Sequence, residues 1–325
     1  MKYDRRTVLK LLCSTTAVVA LPKLAYAQEF PARPIQIIVP LPPGGSNDVL
    51  ARLLGQKMSE AFGQPVVVEN RPGAAGNIAT NDLAKSKPDG YTIAIAPNQT
   101  VAVNPVLYPD LPFNVLKDIQ GISMLGRVPM VLVDSPRVSA ASVSELIALA
   151  KSRPAELTYA SAGSGSPQHM AAEVFQSMTG VTLTHIPYKG SVPALVDVVA
   201  GRVDMMFCPL NSALPHIGSG KLRALGTTGL KRVALLPDVP TIGETVPGFE
   251  SDIWIGMVAP AKTPSSVINK LNAQLRKALD LPDVRKTLAE QGIMSESSTA
   301  ADFNKLIADD QKRWAAVVKD AKIKP

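Results

Sequence analysis

The sequence predicts an α/β protein of two doubly wound lobes with a central cleft between them. Three observations predict it. Apolar strand-like runs alternate with amphipathic helix-like runs from about residue 35 onward. The strand-like runs are continuously apolar rather than alternating, as strands covered on both faces by helices must be. The alternation then repeats in mid-chain, and a late strand-like run returns to the first unit. A chain of 325 residues has the length of about two ordinary domains. Hydrophobic residues make up 46% and charged residues 19%, which predicts a packed fold rather than disorder.

Residues 1–27 read as an export signal. Lys2, Arg5, Arg6 and Lys10 form a basic start, and Leu11 to Leu21 is apolar but too short to span a bilayer. The triplet "AYA" (Ala25, Tyr26, Ala27) places small residues at a cleavage site before Gln28. "RRTVLK" resembles a twin-arginine signal, with Val8 where Phe is more usual, and Sec export stays open. After residue 27 no apolar run approaches the roughly 20 residues of a membrane span.

The signal carries five basic residues, at positions 2, 5, 6, 10 and 23, and one acid, Asp4. Removing that net +4 lowers the formal charge from +7 to +3. No Lys/Arg block is interleaved with aromatics, so nucleic acid is not an expected partner. Of the two cysteines, Cys13 leaves with the signal and Cys208 is alone, so no intramolecular disulfide is expected. Cys208 ends "VDMMFC" and reads as a small apolar core residue.

The elements follow in order. "IQIIVP" (35–40) reads as a strand. "VLARLLGQKMSEAF" (49–62) reads as a helix whose face is Leu50, Leu53, Leu54, Met58, Ala61 and Phe62. "PVVVEN" (65–70) is a strand, "NIATNDLAKS" (77–86) a helix and "GYTIAIAP" (90–97) a strand. The second unit contains strands at 129–134, 157–162, 183–188, 203–208 and 222–228. Helices at 142–152, 167–178 and 192–201 separate them. "DIWIGMVAP" (252–260) is a return strand, followed by helices at 265–280, 283–292 and about 300–319. One lobe is therefore expected at 28–130 plus 255–325, and the other at 131–254. Two crossings between lobes make a hinge, and ligands of such sheets sit beyond the carboxyl ends of the strands.

Two loops carry the candidate chemistry. In "PLPPGGSNDVLAR" a strand breaks at Pro42, Pro43, Gly44 and Gly45 and becomes a helix, with Ser46 or Asn47 as expected N-cap and Asp48 in the first turn. Glycines allow positive φ and close approach of a ligand, and N–H groups at a helix start favour an anion. Asp48 is expected to fix the loop, occupy the positive helix end itself or meet a cationic group on a ligand. "YASAGSGSPQHMAAE" repeats the construction. Ala162, Gly163, Ser164, Gly165 and Ser166 form the loop, with Ser166 as N-cap and Pro167 at the first helical position. Met170, Ala171, Val174, Phe175 and Met178 read as the buried face, and Gly180 as the stop. His169 reads as a hydrogen-bond donor to the loop or a ligand. Two such mouths across a cleft suit the two ends of a small diacid, or one carboxylate between them.

Other chemistries lack their patterns. "GSGSPQ" has no third glycine for a dinucleotide, and no phosphate loop with Gly-Lys-Ser/Thr is present. "SAGSG" has Ala162 where a nucleophile elbow needs glycine. His169, His185 and His216 are too far apart in sequence for a familiar metal pattern, so neither a metal nor a cofactor is expected.

Several segments in order resemble one family. They are "PLPPGGSNDVLAR" (40–52), "VVVENRPGAAGNIAT" (66–80), "KPDGYTIAIAPN" (87–98), "SAGSGSPQHMAAE" (161–173), "HIPYKGSVPALVDVVAGRVDMMF" (185–207), "SGKLRALGTTGLKR" (219–232) and "LPDVPTIGE" (236–244). From about residue 30 to its end the chain resembles the substrate-binding proteins of tripartite tricarboxylate transporters, the Bug-type receptors. The resemblance implies a periplasmic-binding-protein-like fold and a small mono- or dicarboxylate in the cleft. It also implies location in the periplasm, no catalytic residue, and delivery to two membrane permease subunits or a sensor protein. The carboxylate loops it implies match Pro42 to Asp48 and Ser161 to His169. Asn98, at the mouth after the third strand, and Tyr188, in "HIPYKG", join the expected ligand contacts. Leu41 and Asn47 depart from the aromatic and the Thr that are common at those positions. A monomer is expected. The alternative is an exported hydrolase acting on a small acid.

Overall fold

The computed structural model describes residues 29–320 and residue 323. The expected export signal and Cys13 lie outside them. By contacts the chain divides into residues 1–32 and residues 33–325. Of the first unit only residues 29–32 are described, and the second holds the whole fold. Among the described residues no helix is long and apolar enough to cross a membrane.

The first half of residues 33–325 builds a six-stranded sheet. Its strands are β1 (Ile35–Val39), β2 (Val66–Asn70), β3 (Thr92–Pro97) and β4 (Ile119–Val128), joined later by β10 (Ile253–Pro260) and β11 (Met294–Ser295). Their order is β11-β4-β10-β3-β1-β2. The second sheet holds β5 (Met130–Asp134), β6 (Thr158–Ser161), β7 (Thr184–Pro187), β8 (Met205–Pro209) and β9 (Arg223–Thr227), in the order β7-β6-β8-β5-β9. The expected two-sheet α/β class is present.

The sheets are mixed rather than wholly parallel. β1, β2 and β3 run parallel, as do β6, β7 and β8. The strands that enter from the other sheet run the other way: β10 lies antiparallel between β3 and β4, and β5 antiparallel between β8 and β9, while the short β11 pairs antiparallel with β4 at the edge. A strand that enters a sheet directly from the other sheet starts at the end where the parallel strands finish, so it runs opposite to them.

Eleven α-helical segments are described: α1 (Ser46–Phe62), α2 (Asn77–Ala84), α3 (Asn104–Leu107), α4 (Val115–Asp118), α5 (Val143–Ser152), α6 (Pro167–Thr179), α7 (Ser191–Val199), α8 (Leu210–Gly218), α9 (Ser265–Leu279), α10 (Pro282–Glu290) and α11 (Ala300–Asp320). On α1 the core face is Leu50, Ala51, Leu54 and Met58, all fully buried. Leu53, beside that face, and Phe62 are only half-buried, and Ala61 is exposed. Met178 is likewise 42% exposed at the end of α6, where the other expected face residues are buried. Gly180 closes that helix in the left-handed conformation, at φ 68°. Cys208 is a buried free thiol in the core, as expected.

The two crossings are fastened to each other. The Met130 N–H donates to the Thr228 hydroxyl oxygen at 2.9 Å, and the Thr228 N–H donates to the Met130 carbonyl at 2.9 Å. The Thr228 hydroxyl in turn donates to Asp252 Oδ1 at 2.7 Å. Asn98, just past β3, donates from Nδ2 to the Asp252 carbonyl at 3.2 Å. The ends of β3, β5, β9 and β10 therefore converge on one polar knot. Burial pushes the Asp252 carboxyl up to about 6, against the pull of the Thr228 hydrogen bond.

Candidate functional site

The first loop leaves β1 through Pro40 and exposes residues 41–45 before α1 begins. Pro42 and Pro43 supply no N–H, so they stiffen the approach rather than donate. The N-cap is Gly45, without a side-chain cap, and not Ser46 or Asn47. The capping work is done from inside the helix. Asp48, third in α1, reaches back so that Oδ2 accepts the Gly44 N–H at 3.0 Å. The same oxygen accepts Arg52 Nε at 3.0 Å, and Oδ1 accepts Asn70 Nδ2 at 3.0 Å. Burial alone would raise the Asp48 carboxyl. The hydrogen bonds from Arg52, Gly44 and Asn70 outweigh it and hold the group below the ordinary carboxylate range. Of the three expectations for Asp48, the structure shows loop fixing. Gly44 takes φ 91°, which glycine tolerates best.

The second loop repeats the arrangement on different chemistry. Ser166 is the N-cap, its Oγ accepting the His169 N–H at 3.4 Å, and Pro167 occupies the first turn. His169, third in α6, accepts the Gly165 N–H on Nδ1 at 2.9 Å. The expected donor is thus an acceptor toward the loop, because the amide it faces can only donate. Gly165 stands at φ 72° and Gly163 at φ 118°. The two segments share one device. Gly44 and Gly165 give their N–H to a third-position side chain four residues on, Asp48 and His169.

The second loop is backed by a buried stack of rings. His169 and His185 lie parallel with centroids 4.1 Å apart, and Tyr159 stacks on His185 at 4.8 Å. Ser161 Oγ accepts the Gly163 N–H at 3.0 Å and lies 2.6 Å from His185 Nε2. Glu173 Oε1 accepts the Tyr159 hydroxyl at 2.7 Å and is 3.6 Å from His169 Nε2. Burial, with the neighbouring His185, pushes His169 down to about 4, so its ring is neutral at pH 7. Burial lowers His185 as well. Sequence spacing hid this cluster. The signal was the pairing of β6 with β7, whose parallel register sets Tyr159 beside His185.

These internal bonds decide which amides remain. In the first loop the N–H groups of Gly45, Ser46 and Asn47 have no partner among the described residues, and in the second those of Ala162, Ser164 and Gln168 have none. The side chains of Asn47 and Gln168, each second in its helix, are also buried, with one side-chain oxygen each left without a partner. Both lie inside the two implied loops, Asn47 having been expected there as a possible N-cap. So each helix start offers three amide donors and one amide oxygen. The charges differ: α1 carries Asp48 in its first turn, and α6 carries no acid there. The positive end of α6 is the less neutralised of the two.

Asn98 and Tyr188 are engaged elsewhere. Asn98 Oδ1 accepts the Gln99 N–H at 3.0 Å while Nδ2 holds Asp252. The Tyr188 hydroxyl donates to Asp197 Oδ2 at 2.6 Å, and its N–H donates to the Ser161 carbonyl at 3.0 Å. Asn98 does border a small cavity of about 10 Å³ with Pro167, Met170, Asp252 and Trp314. Two larger grooves, of about 260 and 480 Å³, contain no residue of either loop. The 480 Å³ groove lies between Arg232 and Arg285. The amide geometry, not cavity size, singles out the loops. Among the described residues no group of three or more His, Cys, Asp or Glu could hold a metal ion.

Comparison with known proteins agrees with this architecture. A family profile described as "Tripartite tricarboxylate transporter family receptor" matches residues 50–323. The chain is 42% identical over 313 residues to protein BugT of Bordetella pertussis, covering 95% of each chain. It is similar to a solved R. palustris protein with adipate, at 35% identity and TM-score 0.79, covering 91% of this chain and 99% of that one. It is also similar to MatC of Rhodopseudomonas palustris with bound malate, at 32% identity and TM-score 0.75, covering 89% and 100%. The chain belongs to the tripartite tricarboxylate transporter family of receptors.

Proposed function

We propose that this receptor binds a small mono- or dicarboxylate between Pro42–Asp48 and Ala162–His169 and passes it to a membrane permease of two subunits. The observation that carries the reading is the pair of glycine-rich loops leading into helices, each with three unpartnered amides in the loop or first turn. Adipate and malate, present in structures of two relatives, are of the right class. Backbone donors recognise the carboxylate, and the span between the two loops selects the rest of the molecule. The lobes would be 28–130 with 255–325, and 131–254, closing on the ligand about the knot at Thr228 and Asp252. The hydrolase alternative falls with membership of a receptor family. Ser161, which stands beside His185, is fully buried and accepts the Gly163 amide, so its role is structural.

A thermal-shift panel of adipate, malate and short monocarboxylates tests the reading on the mature chain. Ligand at a hundredfold excess over Kd stabilises by about 2.7 kcal/mol. For a chain of this size that is a rise in Tm of roughly 4 °C. A panel in which no acid shifts Tm, while neutral sugars or amines do, would overturn it. Export to the periplasm as a monomer belongs to the same reading. Sequencing periplasmic protein should find Gln28 as the first residue, and a chain that keeps Met1 contradicts it.

A further inference from the structure

We infer that Asp48 and His169 are a matched pair of positioning residues that aim the ligand-binding amides without touching the ligand, and that the His169 lock opens on protonation. The inference rests on the binding reading above and adds its regulation. Each side chain stands third in its helix and accepts the N–H of the glycine four residues before it, at 3.0 Å for Asp48 and 2.9 Å for His169. That bond holds Gly44 and Gly165 in left-handed conformations, at φ 91° and 72°. After Gly44 the N–H groups of Gly45, Ser46 and Asn47 stay free among the described residues; around Gly165 those of Ala162, Ser164 and Gln168 do, because Ser166 donates to the Gly163 carbonyl and Pro167 has no N–H. Without the third-position acceptor, Gly44 and Gly165 would turn their own N–H groups to the mouth and lose a defined loop shape.

The two locks answer acid differently. Nδ1 of His169 can accept only when it carries no proton, which places the ring proton on Nε2, toward Glu173 Oε1. A second proton would set an N–H against the Gly165 N–H, and the bond is lost. The groups facing the ring are Glu173 from its own helix, His185 from β7 and Tyr159 from β6. Burial and His185 keep the ring neutral down to about pH 4. Asp48 stays an acceptor to lower pH, because Arg52, Gly44 and Asn70 hold its carboxyl low. Acid therefore frees the second loop first.

Three variants separate this from a merely packed histidine. His169→Asn presents Oδ1 near the place of Nδ1 and cannot be protonated. His169→Gln reaches the Nε2 position, and His169→Ala reaches neither. On ligand-free protein at pH 7, amide exchange at Gly165 should be faster by about tenfold or more in the Ala and Gln variants and near wild type in the Asn variant. Affinity for adipate and malate by calorimetry should follow the same ranking. Between pH 7 and pH 4, where the ring is half protonated, the wild type should lose about twofold more affinity than His169→Asn, a ratio that cancels titration of the acid itself. Unchanged Gly165 exchange in both Ala and Gln variants would overturn the lock, and so would wild-type acid dependence in the Asn variant. If the wild type binds neither acid, the binding reading fails on its own, while the exchange data still decide the lock.

Discussion

Replacing Gly165 by valine is expected to lower carboxylate affinity about a hundredfold or more, whereas Ser164→Ala costs no more than about tenfold. At Gly165 two penalties add. Its φ of 72° is strained for a β-branched residue, and a Cβ there would sit 2.4 Å from Leu107 Cδ2. Leu107 ends α3, so a side chain at 165 would wedge the second loop off its neighbour and break the Gly165–His169 bond. Ser164 is exposed, and truncation removes at most one hydroxyl hydrogen bond, worth about 0.5–1.5 kcal/mol. Gly44→Val should fall between them. It has the strained φ, at 91°, but nothing within 4 Å of the added Cβ. Calorimetry on variants with native circular dichroism reads the ranking. Normal binding by Gly165→Val would remove the second loop from the site.

Removing the ring of Phe303 is expected to cost about 3–5 kcal/mol of stability. The ring is fully buried on α11 and lies flat on two glycines of neighbouring strands. A Cβ on Gly256 of β10 would stand 1.9 Å from Phe303 Cζ, and one on Gly121 of β4 2.6 Å from Cδ1. Trp254 meets the ring edge-on at 5.5 Å, with its Nε1 donating to Asp310 Oδ2 at 2.8 Å. Phe303→Ala empties that slot, and Gly256→Val fills it against an immovable ring and should be worse. Both strands lead into the crossings, so the damage reaches the knot at Thr228. Urea denaturation measures it. A loss under about 1 kcal/mol would mean that α11 is held by something other than this ring.

What the sequence disclosed and what it hid have physical reasons. Apolar runs such as "IQIIVP" read as strands because burial on both faces leaves no polar position. β4, "IQGISMLGRV", did not, because Gly121 and Gly126 look like breaks and Gln120, Ser123 and Arg127 dilute the run. Those glycines are there to admit Phe303 and the Met294 carbonyl, partners far away in sequence. α8 was missed because Pro215 stands inside it. In the site, the glycine loops and the Ser166 cap were legible, since φ and capping are local. Loop fixing by Asp48 was one of three open readings, and the acceptor role of His169 was not legible, because both depend on how the side chain folds back. The unpartnered oxygens of Asn47 and Gln168 were not legible, because a buried atom without a partner is visible only once all its neighbours are placed.

The central claim is that backbone amides at two helix starts hold the carboxylate. Amide NMR titration of the mature protein with adipate and malate tests it most directly. The account predicts the largest saturable shifts, toward stronger hydrogen bonding, at Gly45, Ser46, Asn47, Ala162, Ser164 and Gln168. Gly44 and Gly165, already bonded to Asp48 and His169, should move less. Saturable shifts confined to the groove between Arg232 and Arg285, with both loops unmoved, would contradict it.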